Sequence, residues 1–157
     1  MASLVFNPFK ALAASAGHNW SLSAPGVKAV LVSSYVPAAS HRYASAFSGQ
    51  ELSSVSYTGG FSGTGRLSLL STFVSTNNGL LVGSAGRAEL GASATTWSGL
   101  SAGVACAVVL ILESATGANS DGNAPLVAYI DTGGFPVTTN AGDLTIQWSS
   151  AGVLQFT

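Results

Sequence analysis

The residues best suited to acid–base or metal chemistry are few and lie far apart in this chain. It has 2 histidines, His18 and His41, and 1 cysteine, Cys106. Metal sites need several His, Cys, Asp or Glu ligands at close spacing, and none of these residues lies within a few positions of either histidine. We therefore expect no metal site, and we interpret both histidines as surface or capping residues. Cys106 lies in an apolar run and is expected to be a buried small hydrophobe.

A glycine-rich stretch, Gly60–Gly65, superficially resembles a phosphate-binding loop. Such a loop has the pattern G-x-x-x-x-G-K-[ST] and opens a helix, whose N–H groups face the phosphate. Here Arg66 and Leu67 stand in place of the lysine and the Ser/Thr, and both flanks have strand patterns. We interpret the stretch as a hairpin loop and expect no cofactor.

The triplet Asp131–Gly133 has the D-T-G sequence of aspartic proteases. Catalysis by this triplet needs a second carboxylate beside it. The chain has no second D-T-G, although a homodimer could supply one. We interpret Asp131 as a turn residue whose carboxylate accepts hydrogen bonds from its own backbone, and Asp143 as a second turn carboxylate. We assign no catalytic residue and expect that the protein is not an enzyme.

The tryptophans could form a platform for a carbohydrate, which keeps a glycan-binding module among the alternatives. Trp148 has the same phase as Leu144 and Ile146 in its predicted strand, so we place it in the core. Trp20 lies in a predicted loop and is the better candidate for a partner contact, because tryptophan is enriched at interface hot spots.

The chain is unusually poor in charge. Charged residues make up 7% of it and hydrophobic residues 47%, with a formal net charge of −1 and a mean hydropathy of +0.44, whereas an average globular domain is roughly 25% charged. One interpretation is an ordinary sandwich with an uncharged Ser/Thr surface. The other is a surface covered by copies of itself or by partners, because interface cores are depleted of charge. The composition favours the second.

Two classes of partner are disfavoured by the sequence. The 5 basic residues are scattered singly, whereas nucleic-acid binding normally needs a clustered basic patch. The longest apolar run, Val104 to Leu112, is far shorter than the roughly 20 residues of a membrane-spanning helix. We therefore expect neither a nucleic acid nor a membrane as a partner.

A short helix is predicted near the amino end. Asn7 is a favoured N-cap, Pro8 suits the first helical position, and Gly17 is expected to end the helix after Ala16. A helix this short is marginal by itself and must dock on a surface. Phe6 and Phe9 flank its start, so we hypothesise that the segment is an arm that docks on a neighbouring molecule.

The rest of the chain has the patterns of short strands with turns between them. Val27–Val32 is expected to be buried on both faces except near Lys28, and Val104–Glu113 to be the central strand. Arg66–Val74 is interpreted as one strand and Gly83–Gly91 as irregular. Ser40 is expected to cap a helical turn over residues 41–47 that Gly49 closes.

The carboxyl-terminal third has three stretches of alternating residues, 126–130, 144–148 and 153–156. Strict alternation predicts strands with one buried face, and we interpret the three as a meander. The sequence thus predicts an all-β fold, an antiparallel β-sandwich of jelly-roll type with a short N-terminal helix and one short helical turn. We expect one domain, residues 1–157, with an N-terminal arm and helix in 1–24 and a β-domain in 25–157.

The stretch LVAYIDTGGFPVTTNAGDLTIQW, residues 126–148, resembles a family of small virion structural proteins of tailed bacteriophages. The likeness lies in AYIDT, in the PVT turn with its following Asn and Gly-Asp, and in TIQW. The layout of the amino end, NPFKALAAS, then VKAVLV, then HRYASAFS, is also similar. The middle, Gly59–Gly103, is richer in glycine and serine than the family pattern.

The resemblance implies a non-enzymatic capsid decoration or cement protein. Its expected partners are the major capsid protein and copies of itself in a dimer or trimer on a symmetry axis, and its expected place is the capsid surface of the virion after synthesis in the host cytoplasm. A tail, neck or fibre component is the alternative. We take Phe6, Phe9 and Trp20 as the candidate partner contacts, with no catalytic, cofactor-binding or metal-binding residues.

Overall fold

Runs of β-branched and aliphatic residues form the two longest strands, and shorter strands surround them. The computed structural model describes residues 4–15, 26–52, 65–69, 73–75, 88–112, 120–149 and 153–156. The described residues form one α-helix, α1 (Asn7–Ala14), one 3-10 helix (Ala44–Phe47) and twelve strands. The strands are β1 (Leu4–Val5), β2 (Val27–Val32), β3 (Arg66–Ser68), β4 (Phe73–Ser75), β5 (Ala88–Gly91), β6 (Thr95–Trp97), β7 (Gly103–Ala105), β8 (Ala107–Leu112), β9 (Leu126–Ile130), β10 (Val137–Thr139), β11 (Leu144–Ile146) and β12 (Leu154–Phe156).

The central element is a five-stranded antiparallel sheet in the order β1-β9-β8-β2-β3. Strand β8 is in the middle and all of its residues are buried, which confirms that the later part of the predicted strand Val104–Glu113 is central. The earlier part belongs to the separate strand β7, which pairs with β10 in another sheet, so the prediction of one continuous strand is wrong. Every residue of β2 is buried except the half-buried Lys28, as predicted. Such uninterrupted apolar runs arise because both faces of the sheet are covered.

The two faces of this sheet carry separate cores. The strand-side core packs central-sheet residues such as Leu31, Val108 and Leu110 against Leu90, Trp97 and Leu154 of the smaller antiparallel sheets, which are β10-β7, β11-β6 and β12-β5-β4. The loop-side core packs Val30, Val109 and Tyr129 under Tyr35 and Phe47 of the β2–β3 connection. The all-β prediction is confirmed, with sandwich-like packing of sheets on the strand side. The jelly-roll topology stays a prediction.

The amino-terminal segment is part of this fold rather than a free arm. β1 pairs with β9, the N–H of Phe6 donates to the carbonyl of Val127 at 3.0 Å, and α1 packs on β9. Helix α1 begins at Asn7, one residue before the predicted first helical position, because the N–H of Lys10 donates to the carbonyl of Phe6 at 3.2 Å. It ends at Ala14, two residues before the predicted end at Ala16. Phe6 is 0% exposed and Phe9 2%, so both are buried in the chain's own cores. Their assignment as partner contacts is wrong, because the surface on which the marginal helix docks belongs to the same chain.

Two strand predictions and one burial prediction near the middle of the chain need correction. The single strand expected over Arg66–Val74 is two strands: β3 joins the central sheet and β4 pairs with β5 in another sheet. The region expected to be irregular, Gly83–Gly91, contains β5. Cys106 is half-buried rather than buried, since it lies at the break between β7 and β8.

The carboxyl-terminal strands do not form a meander. β9 pairs with β8 and β1, β11 with β6, and β12 with β5. Strand β9 is buried on both faces, so its expected exposed face is wrong, whereas residues 144–148 alternate between half-buried and exposed as predicted. Alternation reports the phase of a side chain but not the partner of a strand, which is why the phases were predictable and the neighbours were not.

The helical turn begins later than expected. The 3-10 helix covers Ala44–Phe47, and its N-cap is Tyr43, whose side chain makes no capping hydrogen bond. Ser40 therefore is not the cap. Gly49 follows with φ +76°, a left-handed conformation that favours glycine, so the turn closes where the sequence predicted.

Candidate functional site

The most highly charged cluster of the described residues is buried and internally paired. Arg66 is 3% exposed. Its Nε donates to Glu51 Oε2 at 2.9 Å, its Nη1 to Asp121 Oδ1 at 2.6 Å, and its Nη2 to Glu51 Oε1. The guanidinium also lies over the ring of Phe47, 5.8 Å from the ring centre. Burial alone would lower the pKa of Arg66, but the hydrogen bonds to Glu51 and Asp121 outweigh it and raise the pKa.

This Arg66 cluster has the geometry of a structural clamp. Its three members come from the start of β3, from the residue that bridges to Val32, and from the turn before β9. A guanidinium with two carboxylate partners is held in one orientation and stays protonated. The cluster therefore ties the loop-side connections together.

A second polar contact anchors the loop-side layer. The hydroxyl of Tyr35 donates to Nδ1 of His41 over 2.7 Å, and the N–H of Ala38 approaches the same nitrogen at 3.3 Å. His41 thus closes the 38–41 turn, which confirms its interpretation as a capping residue. Burial, together with the neighbouring Tyr129, raises the pKa of Tyr35 to about 12, so this hydroxyl is a poor candidate for a base at neutral pH.

The two turn aspartates differ from one another. Asp143 Oδ1 accepts a hydrogen bond from the N–H of Gly99 at 3.0 Å, so it is a turn carboxylate that also links two loops. Both carboxylate oxygens of Asp131 are buried without a hydrogen-bond partner. The predicted bond from Asp131 to its own backbone is therefore wrong. The side chain instead lies close enough to Tyr129 to raise the pKa of that phenol, after the larger effect of burial.

The chain also contains a G-x-S-x-G pattern at Gly99–Gly103. A nucleophile elbow of this form requires a strand, a sharp turn and then a helix. Here the pattern joins β6 to β7, and Leu100 is buried with its N–H bonded to the carbonyl of Gly142 at 3.1 Å. The carbonyl of Ser101 accepts from Thr139 Oγ1 at 2.6 Å. The pattern is a structural turn between strands.

An apolar groove of about 510 Å³ opens beside the end of the strand-side core. Residues 144–149 line it consecutively, and Leu4, Ile130 and Phe135 contribute to it from β1, β9 and the β9–β10 turn. Trp148 is half-buried there, and its Nε1 donates to Thr95 Oγ1 at 3.0 Å. Trp148 packs against the strand-side core but stays half-buried, so the prediction that it is a core residue is confirmed only in part.

The groove was not apparent from any motif, because its lining comes from five separate stretches of the chain. The one local signal was the alternation around Trp148, which placed this residue beside Leu144 and Ile146. None of the described lining residues is charged. The volume lies within the range of roughly 300–1,000 Å³ that is typical of ligand pockets, so the groove is the strongest candidate binding site of the described part of the chain.

Other expected sites lie outside the described residues or find no support among them. Trp20, His18 and most of the 60–65 glycine loop are not described; the carbonyl of Gly65 accepts from Trp97 Nε1 at 2.9 Å. Among the residues that the structure describes, no group of three His, Cys, Asp or Glu could hold a metal ion. Within the same residues, no helix has the length and apolarity to span a membrane.

Comparisons with protein-family models, with curated proteins and with solved structures find no match to this chain.

Proposed function

We propose that this protein is a non-enzymatic virion structural protein, a capsid decoration or cement protein of a tailed phage. The observation that carries the proposal is the placement of its few charges. The chain has 5 basic and 6 acidic residues, and four of these, Arg66, Glu51, Asp121 and Asp131, have charged groups engaged or buried inside the fold. The remaining surface has little charge to keep copies and partners apart.

The described surface also exposes large hydrophobic side chains. Val36 is 78% exposed, Val104 43% and Tyr43 40%. Scattered hydrophobic residues are ordinary on a protein surface, but here they accompany a near-neutral surface and an uncharged groove. Many weak apolar contacts repeated over a symmetric shell sum through multivalency, so such a surface suits a protein that clamps neighbouring capsomers.

Copy number in purified particles tests this proposal. A decoration protein is expected in hundreds of copies per head, and heads that lack it should rupture at lower temperature or in low salt. Gel densitometry and thermal release of DNA measure the two properties. A dozen copies, or heads of unchanged stability, would support the tail, neck or fibre alternative and sink the decoration role.

A surface variant sharpens the test without disturbing the fold. Val36→Asp places a charge on the most exposed large hydrophobic residue and should reduce the occupancy of purified protein added back to heads that lack it. The matched control is Ser93→Asp, at an exposed position between β5 and β6. Equal occupancy of the two variants would mean that Val36 is not part of the contact surface.

Deletion of the amino-terminal segment is not a test of the hypothesis that this segment docks on a neighbouring molecule. Deletion of residues 1–16 would remove β1, Phe6 and Phe9 from the cores. Loss of particle binding would then follow from unfolding, so this deletion cannot identify an arm.

A further inference from the structure

The groove beside Trp148 follows the open edge of a β-strand. β11 pairs with β6 along one side, and no described strand pairs with its other side. The six consecutive lining residues, 144–149, include side chains of both phases, which means that the backbone itself borders the groove. An unpaired strand edge is a template for another strand.

One protective device is present, since β11 is only three residues long, but the other usual devices are absent from the described lining. Native proteins place lysine, proline, an inward-pointing charge or a bulge on exposed edges. Here the exposed residues of this stretch are Thr145, Gln147 and Ser149, and the half-buried ones are Leu144, Ile146 and Trp148. The edge is accessible, β-forming and neutral.

The chemistry of the lining selects one kind of occupant. Aliphatic residues from β1, β8 and β9 (Leu4, Val5, Val108 and Ile130) face the groove together with Phe135 and Trp148. A charged segment would be desolvated there with no opposite charge to meet it. An extended uncharged segment would place its alternate side chains against the aliphatic residues and its N–H and C=O groups along β11.

We propose that this groove binds an extended, uncharged polypeptide segment by β-strand addition to the open edge of β11. That the segment belongs to a neighbouring virion protein rests on the proposed function; the preference for a neutral extended chain rests on the groove alone. The indole of Trp148, held by Thr95, forms one end of the site and packs against the bound side chains.

The isolated protein tests the site directly. The probe is a short synthetic peptide in which valine alternates with threonine, with terminal lysines for solubility. Saturating peptide should slow amide hydrogen exchange in residues 144–149 by about tenfold and change the fluorescence of Trp148. The same peptide with a central proline, which lacks the N–H donor, should do neither. Equal effects of the two peptides, or no protection of residues 144–149, would overturn the proposal.

Charge substitutions provide a second readout. Gln147→Lys puts a charge in the lining at an exposed position and should weaken binding of the peptide by about tenfold, because the ammonium must be desolvated. Thr138→Lys, at an exposed position that does not itself line the groove, is the control and should bind as the parent does. Thermal unfolding of both variants checks that each is folded. Identical affinities would contradict the assignment of the groove.

A cross-linking experiment on purified particles distinguishes a failure of this inference from a failure of the proposed function. A photo-cross-linking amino acid at Gln147 should give an adduct with an uncharged extended segment of another chain, identified by mass spectrometry. Peptide binding without an adduct in the virion would support the groove as a peptide-binding site and refute its role in the particle. Saturable binding of neutral glycans by the isolated protein, with no peptide binding, would instead favour a carbohydrate site around Trp148 and overturn the proposal.

Discussion

The two sides of the central sheet differ in where their charged groups lie. On the loop side, Arg66, Glu51 and Asp121 bring three distant stretches into one buried ion cluster, and the Tyr35–His41 hydrogen bond closes the adjoining turn. On the strand side, the groove has no charged residue in its described lining, and the outer edge of β11 pairs with no described strand. The same strands β8 and β9 contribute to both sides.

This difference teaches how a chain with few charges can use them. A buried ion cluster adds little net stability compared with apolar packing, but breaking it is costly, so it can specify which loops meet. An open neutral edge adds no stability by itself and is a liability unless a partner covers it. The ion cluster therefore specifies which connections meet on the loop side, and the groove on the strand side is the surface that we propose for assembly.

The largest expected effect lies on the loop side. Arg66→Met should lower the free energy of unfolding by about 3–5 kcal/mol, because two carboxylates lose the buried cation that pairs with them. Urea denaturation measures the change. Arg42→Met, at an exposed position, is the control and should change stability by at most about 0.5 kcal/mol. Similar losses in both variants would mean that the cluster is no clamp.

The next prediction compares the centre of the strand-side core with the groove. Leu110→Ala should cost about 3 kcal/mol, because Leu110 is fully buried in β8 and its removal leaves a cavity. Leu144→Ala should cost about 1 kcal/mol, because this half-buried side chain lines the open groove. Chemical denaturation ranks the two. A larger loss at Leu144 would show that the groove region is a closed part of the core.

A smaller effect is expected where the indole of Trp148 is anchored. Trp148→Phe removes its hydrogen bond to Thr95, a residue 5% exposed, and should cost about 1 kcal/mol. A double-mutant cycle with Thr95→Val isolates the pair and should give a coupling energy of about 1 kcal/mol. Additive losses would mean that the hydrogen bond contributes nothing and that the ring is held by packing alone.

The smallest effect at neutral pH concerns Tyr35, whose pKa of about 12 in the folded protein lies above the ordinary tyrosine value of 10.0. Between these values the unfolded state releases its proton first, so the contribution of Tyr35 is complete below pH 10 and is lost as the pH rises towards 12. Tyr35→Phe should flatten this decline in stability, whereas Tyr43→Phe at an exposed site should not. Ultraviolet titration of the folded protein should find one phenol with a midpoint near pH 12; midpoints near 10 for all would contradict the assignment.

Much of the local structure could be predicted because its signals are local. The N-cap and proline at Asn7-Pro8 predicted the start of α1, and the apolar run in β2 predicted burial on both faces. The phase of Leu144, Ile146 and Trp148 was also correct. These features depend on neighbouring residues in the chain and on the periods of the helix and the strand.

The candidate site could be predicted only in fragments. The groove needs β1, β9 and β11 together, but β1 and β9 pair within the central sheet whereas β11 pairs with β6 in another sheet. From the sequence alone, Phe6 and Phe9 are predicted to contact a partner, because the sequence does not show that the chain's own central sheet buries them. Asp131 looks like an ordinary turn residue until both of its carboxylate oxygens are found buried without a partner.

By itself, the sequence determined that this protein is all-β, that its amino end is helical, that β8 is central and that its surface has little charge. Composition and short-range periodicity are sufficient for these properties. Only the tertiary structure decided that Arg66 meets Glu51 and Asp121, that Arg66–Val74 is divided between two sheets, and that an open edge of β11 lies beside Trp148. The physical reason is that strand pairing is a long-range choice among edges that are nearly equivalent in local sequence.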